Sequence, residues 1–197
     1  MTSPVAQTSQ LACVTGRFQP VHRQHMELFE LALAQAEHLI VAVTNPDVQA
    51  RQEVATSLHR HSIAANPFTY FERVQLLTSA LDRAGHLRRT TIVPFDLTRP
   101  EVWADYVPRG TRHFVRAYSD WERQKADWFR EAGYPVTLLE GSAQGRISST
   151  DIRSSLAMET ASGSTSSMQD WHELVPTSTI ALLEELRAAG ALGERDL

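Results

Sequence analysis

At 197 residues, with 42% hydrophobic and 21% charged side chains, the chain is long enough for one sizeable globular domain, with or without a short appendage. A formal net charge of -4 and the lack of a dense Lys and Arg cluster argue against binding of a nucleic-acid polymer, so any bound phosphate should be small. The single cysteine excludes a disulfide framework and a cysteine-based zinc site. No signal-peptide pattern and no run of roughly 18 apolar residues is present, which predicts a cytoplasmic protein without membrane contact.

Five short apolar runs rich in β-branched residues predict buried strands. They cover residues 11–15, 39–44, 90–95, 113–117 and 135–139. Segments with helical periodicity lie between them, over residues 25–38, 68–85 and 119–133. The second of these ends at Gly85, and the third begins with a capping box of Ser119 and Glu122. Alternating strands and helices predict the α/β class, a doubly wound parallel sheet of five strands with helices on both faces, which binds ligands at the carboxyl ends of its strands.

Two segments break this alternation. Residues 45–66 form a polar connection that is too long for a plain loop, which predicts a closing lid or a small helix. Residues 157–170 are rich in Ser, Thr and Gly and predict a flexible linker. A helix around 175–189 should follow and dock back through an apolar stripe formed by Val175, Ile180, Leu183 and Leu186. We therefore expect one main domain over 1–156, the linker, and a C-terminal helical segment over 171–197.

The sequence GRFQPVHRQH, residues 16–25, joins the first strand to the first helix. Gly16 suits a tight turn, Pro20 ends the extended segment, and the helix should open at His22. His22 and His25 then project from its first turn, beside the free N–H groups. Imidazoles placed there can donate hydrogen bonds to phosphate oxygens and stabilise the charge of a leaving diphosphate. The pair could also be a surface coincidence or half of a zinc site, although no third ligand with suitable spacing is evident.

The sequence RISSTDIRSS, residues 146–155, offers a second anion site. Three hydroxyl side chains precede or open a helix, and Arg153 follows one turn later. The hydroxyls belong to Ser148, Ser149 and Thr150. They could serve as helix caps only, but together with Arg153 they predict phosphate binding at a helix start. Two such starts suggest that one polyphosphate is held between them.

These two motifs resemble those of the HxGH superfamily of nucleotidylyltransferases, and specifically its nicotinamide-mononucleotide adenylyltransferase branch. NPFTYFER (66–73) and PFDLTRPEVW (94–103) are similar to two further motifs of that branch, and WHELVP (171–176) resembles its C-terminal end. The similarity runs from Gly16 to about Arg153.

The resemblance implies a Rossmann-like sheet and a Mg2+-bound nucleoside triphosphate. A phosphate or phosphonate oxygen of a small anionic acceptor would attack the α-phosphate and release diphosphate. His22, His25 and Arg153 would be the catalytic residues, with no metal bound by protein side chains. The β- and γ-phosphates would be held by Ser148, Ser149, Thr150 and Arg153, and the backbone cradle would be formed by Gly16, Arg17 and Phe18. The family often self-associates, so a homo-oligomer is a further expectation.

The chain departs from the family pattern at three positions. Gln24 stands where HxGH has glycine, so a side chain is added where the family keeps the backbone bare. Arg23 replaces a residue that is usually apolar, and it could bind the acceptor or simply face solvent. Pro100 replaces the asparagine that usually precedes the acceptor-stacking tryptophan. Trp103 itself is retained, either to stack on the acceptor or as a core aromatic.

Arg116 and Tyr118 lie near the carboxyl end of the fourth predicted strand, where this fold binds its ligand. A charged residue in an apolar strand favours a role in acceptor binding, although Arg116 could also face water from an edge strand.

These features favour an acceptor smaller than nicotinamide mononucleotide. The sequence is similar to the cytidylyltransferases of phosphonate and phosphinate antibiotic pathways, which implies transfer of CMP from CTP to a small phosphonate such as phosphonoformate. One alternative is ATP-dependent nicotinamide-mononucleotide adenylyl transfer in NAD biosynthesis. The other is a catalytically silent nucleotide sensor, with Gln24 as the lesion.

Overall fold

A computed structural model of the chain describes residues 9–51, 62–142, 144–158 and 170–193. Five parallel strands form one sheet in the order β3-β2-β1-β4-β5. They are β1 (Ser9–Gly16), β2 (Ala36–Thr44), β3 (Thr90–Phe95), β4 (Arg112–Ala117) and β5 (Val136–Glu140). All five predicted strands are confirmed, and so is the doubly wound α/β fold.

Seven α-helices connect or follow these strands within the described residues. They are α1 (Arg23–Leu33), α2 (Tyr70–Arg83), α3 (Trp103–Tyr106), α4 (Asp120–Glu131), α5 (Ser149–Met158), α6 (Trp171–Leu174) and α7 (Ile180–Ala188). Short 3₁₀ helices cover Ile63–Ala65, Leu87–Arg89, Pro100–Val102 and Thr177–Thr179. No helix in the described part of the chain is both long and apolar enough to cross a membrane.

The sheet opens between β1 and β4, where the ligand crevice of this fold is expected. Pairing of these two strands ends at Val14 and Phe114, whereas β1 continues to Gly16 and β4 to Ala117. From β1 the chain first adds β2 and β3 on one side. It then crosses to the other side of β1 and adds β4 and β5, so the strand order reverses at this gap. Ligands of open α/β sheets bind at such a reversal point, outside the carboxyl ends of the strands.

Helix boundaries follow the capping signals more closely than the periodicity. Ser119 and Glu122 form the predicted capping box, in which the Ser119 backbone N–H donates to Glu122 Oε2 over 2.9 Å. Gly85 lies just beyond α2 with a left-handed φ of +73°, as a helix C-terminal glycine does. The prediction that the first helix extends to residue 38 is wrong. It ends at Leu33, and Ala36 already pairs with β1 because its small apolar side chain suits a buried strand equally well.

Two apolar cores fill the two faces of the sheet. The first contains Phe29, Leu77, Ile152 and Leu183, from α1, α2, α5 and α7. The second contains Phe95, Trp103 and Phe129, from β3, α3 and α4. Three of the four residues predicted to dock the C-terminal helix, Val175, Leu183 and Leu186, are buried in the first core, and the fourth, Ile180, packs against it.

The two irregular segments are only partly described. The predicted linker overlaps the end of α5, which reaches Met158, and residues 159–169 lie outside the described residues. Residues 52–61 of the predicted lid also lie outside them, while the 3₁₀ helix Ile63–Ala65 occupies the end of that segment. The ends of the segment meet, because the Asn45 side-chain amide donates to Asn66 Oδ1 over 3.2 Å.

Candidate active site

A cavity of about 340 Å³ lies at the carboxyl ends of β1 and β4. Both predicted phosphate-binding motifs line it, one from the β1–α1 loop and the other from the start of α5. Helix α4 closes the opposite side with Trp121, Glu122 and Lys125. The two motifs are more than a hundred residues apart in the chain, so the fold brings them to one site as predicted.

The backbone of the β1–α1 loop is shaped by Gly16 and Phe18. Phe18 has a left-handed φ of +51°, and its ring folds back over Gly16, where an added Cβ would lie 2.9 Å from Phe18 Cζ. The ring is 2% exposed and packs against Phe29. Glycine at position 16 is therefore required by this aromatic ring, because a larger residue would clash with it.

Gln19 joins this loop to the start of α2. Its amide nitrogen donates to the Phe68 carbonyl over 2.9 Å, and its amide oxygen accepts from the Phe68 N–H over 3.0 Å. The Gln19 side chain thus satisfies both the N–H and the carbonyl of Phe68, as a neighbouring backbone strand would. These two hydrogen bonds therefore fix the position of the first motif relative to the NPFT segment.

Arg73 is a structural residue of the site that the sequence reasoning missed. Its guanidinium is 0% exposed and donates to the carbonyls of Arg17 (2.9 Å), Thr44 (2.7 Å) and Asn45 (2.8 Å). Burial lowers the pKa of Arg73 to about 10, so it remains charged at neutral pH. Arg73 therefore joins the ends of β1 and β2 below the cavity.

His22 is the N-cap of α1 and His25 lies three residues further along. The two rings stack with their centroids 3.6 Å apart. The His22 backbone N–H donates to His25 Nδ1 over 3.2 Å, so the proton of the neutral His25 ring lies on Nε2. His22 Nδ1 is buried and has no hydrogen-bond partner in the described part of the chain. The pair therefore offers unused hydrogen-bonding groups beside the start of a helix.

Both imidazoles are neutral in this structure near pH 7. Burial, followed by the charges of Arg146 and Arg116, lowers the pKa of His22 to about 3. Burial also lowers the pKa of His25 well below its usual value, with smaller contributions from His22, Lys125 and Arg116. A polyanion beside the rings would favour the imidazolium form and raise both values.

The start of α5 presents its hydroxyl-bearing residues as predicted. The residues Ser148, Ser149 and Thr150 all line the cavity. Arg153 does not line it. Its guanidinium is directed into the protein and donates to the Gln19 carbonyl (2.7 Å), the Ser149 carbonyl (3.1 Å) and Thr150 Oγ1 (3.2 Å). In this structure Arg153 joins the two motifs through backbone groups, rather than facing the phosphate site as the resemblance implied.

Cationic side chains outnumber acidic ones around the cavity. Its lining includes Arg17, Arg116, Lys125 and Arg146, against the single carboxylate of Glu122. Lys125 Nζ donates to the Thr15 carbonyl over 3.0 Å, which places its charge at the end of β1. Arg116 pairs with Glu27 on α1 at 3.0 Å. An excess of positive charge in a concave site raises the local concentration of a polyanionic ligand.

The four predicted acceptor residues divide into two pairs. Arg116 and Tyr118 line the cavity, and β4 lies between β1 and β5, so the edge-strand alternative for Arg116 is wrong. Arg23 is exposed and does not line the cavity, since it lies on the outer face of α1. Trp103 is 2% exposed, and its indole N–H donates to the Asp96 carbonyl over 2.8 Å. Trp103 belongs to the second core, where its ring packs against those of Phe95 and Phe129.

Three further lining residues were not found from the sequence: Trp121, Lys125 and Arg146. Trp121 and Lys125 lie one turn apart on α4, so their spacing places them on one helix face. That face meets the ligand only because β4 is the neighbour of β1, and strand order is not visible in a local pattern.

The fold and the site together place two helix starts against one cavity at the reversal point of an α/β sheet, an arrangement typical of nucleotide-binding enzymes. The family model described as cytidylyltransferase-like matches residues 13–155. The chain belongs to this family, and it is an enzyme of the nucleotidyltransferase class.

Named relatives of two kinds are similar to the chain. A phosphonoformate cytidylyltransferase of Streptomyces viridochromogenes is 32% identical over 87% of this chain and 89% of its own length. A nicotinamide-nucleotide adenylyltransferase of Thermococcus onnurineus is 28% identical over 87% of this chain and 81% of its own.

Among solved structures, a bifunctional NMN adenylyltransferase/ADP ribose pyrophosphatase from Francisella tularensis matches with a TM-score of 0.60 and 17% identity. The match covers 93% of this chain but only 51% of that one, so the chain spans about half of that bifunctional protein. A second structure of the same protein, complexed with AMP and Mn ion, matches with a TM-score of 0.58. These likenesses support the fold.

Proposed function

We propose that the enzyme transfers CMP from CTP to a phosphonate oxygen of a small acceptor, with phosphonoformate as the best candidate, and releases diphosphate. The observation that carries this proposal is the composition of the cavity wall. Trp103, the aromatic expected to stack on a nicotinamide ring, is buried in the second core, whereas Arg116 and Lys125 line the cavity. A wall of cations suits a compact anionic acceptor better than a nucleotide with a planar ring. The 32% identity to a phosphonoformate cytidylyltransferase supports the same choice.

The residues act by binding and by neutralising charge. An acceptor oxygen forms a bond to the α-phosphorus while the bond to the leaving diphosphate breaks, so no side chain has to act as a nucleophile. His22 and His25 donate hydrogen bonds to the triphosphate, and the negative charge beside them stabilises their protonated forms as diphosphate departs. The α5 start, with Ser148 to Thr150, binds the distal phosphates through hydroxyl and backbone groups.

The donor set around the cavity fits a magnesium ion that arrives with the nucleotide. No group of three or more His, Cys, Asp or Glu side chains suited to a metal lies within the described residues. Mg2+ is commonly held by substrate phosphates and water with few protein ligands. Bound in this way, Mg2+ would neutralise charge on the phosphate oxygens while His22 and His25 hold the triphosphate in line.

Diphosphate release is the test of this proposal. With Mg2+ present, the enzyme is assayed with ATP, CTP, GTP and UTP against phosphonoformate, other small phosphonates and nicotinamide mononucleotide. We expect the highest kcat/KM for CTP with a small phosphonate. Efficient turnover of ATP with nicotinamide mononucleotide, and none of CTP with phosphonates, would refute the proposal.

The second candidate is ATP-dependent nicotinamide-mononucleotide adenylyl transfer. It is favoured by the similarity to the Thermococcus adenylyltransferase, and the two predicted phosphate-binding motifs fit it as well. The assay above separates the two candidates. A silent sensor is separated from both by His25→Ala, which would weaken nucleotide binding in a sensor but abolish most turnover in an enzyme.

A further inference from the structure

The residue that departs most clearly from the HxGH pattern lies in the wall of the cavity. Gln24 lines the cavity on the first turn of α1, between the two histidines. Its amide nitrogen donates to the Gly145 carbonyl over 2.9 Å. Its amide oxygen accepts from the Ile147 N–H (2.9 Å) and from the Tyr118 hydroxyl (3.0 Å). Gln24 therefore joins α1, the end of β4 and the loop before α5.

Tyr118 is held in place from three sides. Its hydroxyl is bonded to Gln24, and the Arg146 guanidinium lies 4.8 Å from the centre of its ring. On the third side is Gly141, where an added Cβ would come within 2.5 Å of Tyr118 Cδ1. Only glycine at the end of β5 allows this ring position. Gln24 and Tyr118 therefore form a fixed wall rather than two mobile side chains.

This wall adjoins the phosphate site. Ile147, which donates to Gln24, is followed directly by Ser148 at the start of α5. A triphosphate bound between the two helix starts would bring its nucleoside near this wall, where the Tyr118 ring offers a planar apolar surface to a base. The cations at Arg17 and Lys125 lie elsewhere in the lining and suit anionic groups.

We propose that Gln24 is a specificity-determining residue that restricts the nucleotide site to a pyrimidine base. One N–H of the Gln24 amide and both acceptor positions of its oxygen are used on protein partners, which hold the side chain in place, so Gln24 acts by occupying volume. Glycine at this position would leave that volume open to the second ring of a purine. This inference rests on the proposed function, which takes CTP as the donor.

The test compares the dissociation constants of Mg-CTP and Mg-ATP by calorimetry. Gln24→Gly removes both the volume and the bonds, whereas Gln24→Met keeps the volume and removes the bonds. Gln75→Gly makes the same change at an exposed position in α2, with the same loss of helix propensity, and serves as the control. Thermal unfolding of each variant checks that it is folded.

We expect the ratio of the ATP to the CTP dissociation constant to fall at least fivefold in Gln24→Gly. It should stay within twofold of wild type in Gln24→Met and Gln75→Gly, although Gln24→Met should bind both nucleotides more weakly. A simple loosening of the loop would weaken both nucleotides alike and leave the ratio unchanged.

Three results would overturn the inference. The first is a change of the ratio in Gln24→Gly that is less than fivefold. The second is a change in Gln24→Met as large as that in Gln24→Gly. The third is a wild-type protein that binds ATP more tightly than CTP, or that binds neither nucleotide. The proposed function is judged separately, by turnover. If the wild-type protein binds CTP preferentially but transfers CMP to no phosphonate, the acceptor assignment is refuted. The ratio of the ATP to the CTP dissociation constant still decides the role of Gln24 in that case.

Discussion

The histidines at the start of α1, one buried and one half-buried, both line the same cavity. His25 already accepts a bond at Nδ1, so its Nε2–H is the group available to a phosphate oxygen. Replacing His25 by alanine removes this donor together with the charge that would develop beside the leaving diphosphate.

We expect His25→Ala to lower kcat about 10²–10³-fold, the usual loss for one preorganised donor at a developing charge. The measurement is diphosphate release under saturating Mg-CTP and acceptor, with nucleotide affinity followed by calorimetry. His38→Ala is the control, because His38 lies on β2 and bonds to Thr91 away from the cavity. Turnover within tenfold of wild type would contradict the catalytic role of His25.

Residue positions that depend on short-range patterns were predictable, and those that depend on distant contacts were not. His22, His25 and Ser148 to Thr150 were predicted because a helix start is visible in the sequence and binds anions by its nature. Arg153 and Gln24 have partners more than 120 positions away. Nothing in a local pattern states that Arg153 faces the Gln19 carbonyl rather than the cavity.

At the level of elements, the strands were predictable because each is a separate apolar run bounded by polar segments. The order of the strands was not, since it depends on which crossover passes over which face. That order makes β4 the neighbour of β1 and so brings Lys125 and Trp121 to the site. The end of α1 was misplaced because Ala36 satisfies both the helical period and a buried strand.

Arg73 is the contact that holds several elements in place at once. Arg73→Leu removes the charged donor from the buried Thr44 carbonyl and from the partly buried carbonyls of Arg17 and Asn45. Each unsatisfied buried acceptor costs about 1–3 kcal/mol, so we expect the free energy of unfolding to fall by about 3 kcal/mol. Nucleotide affinity should fall as well, because the β1–α1 loop loses its support.

Urea denaturation and calorimetry measure these two effects. The control is Arg83→Leu, the same change at an exposed position of the same helix, which should alter the free energy of unfolding by less than about 0.5 kcal/mol. Equal stability of the two variants would show that the carbonyls find other partners and that Arg73 does not support the loop.

For the whole molecule, buried neutral histidines make stability depend on pH. His113 is 1% exposed, stacks on Phe129 at 3.9 Å, and has no hydrogen-bond partner for either ring nitrogen within the described residues. Burial lowers the pKa of His113 to about 3, as it does for His22. Below about pH 6.5 the unfolded chain binds protons that the folded chain does not bind, so stability falls as the pH falls toward 3.

His113→Phe removes one of these groups and keeps an aromatic ring in the same core. Between pH 6 and pH 4.5 we expect the variant to lose stability less steeply than wild type, by about 1.4 kcal/mol per pH unit. Above pH 7, His113 is neutral in both the folded and the unfolded chain. The difference in free energy of unfolding between wild type and His113→Phe should therefore be independent of pH there. Urea denaturation of both proteins at pH 7.5, 6.0, 5.2 and 4.5 measures the two slopes. Equal slopes would mean that His113 takes up its proton in the folded protein, and that the second core admits water or rearranges around the charged ring.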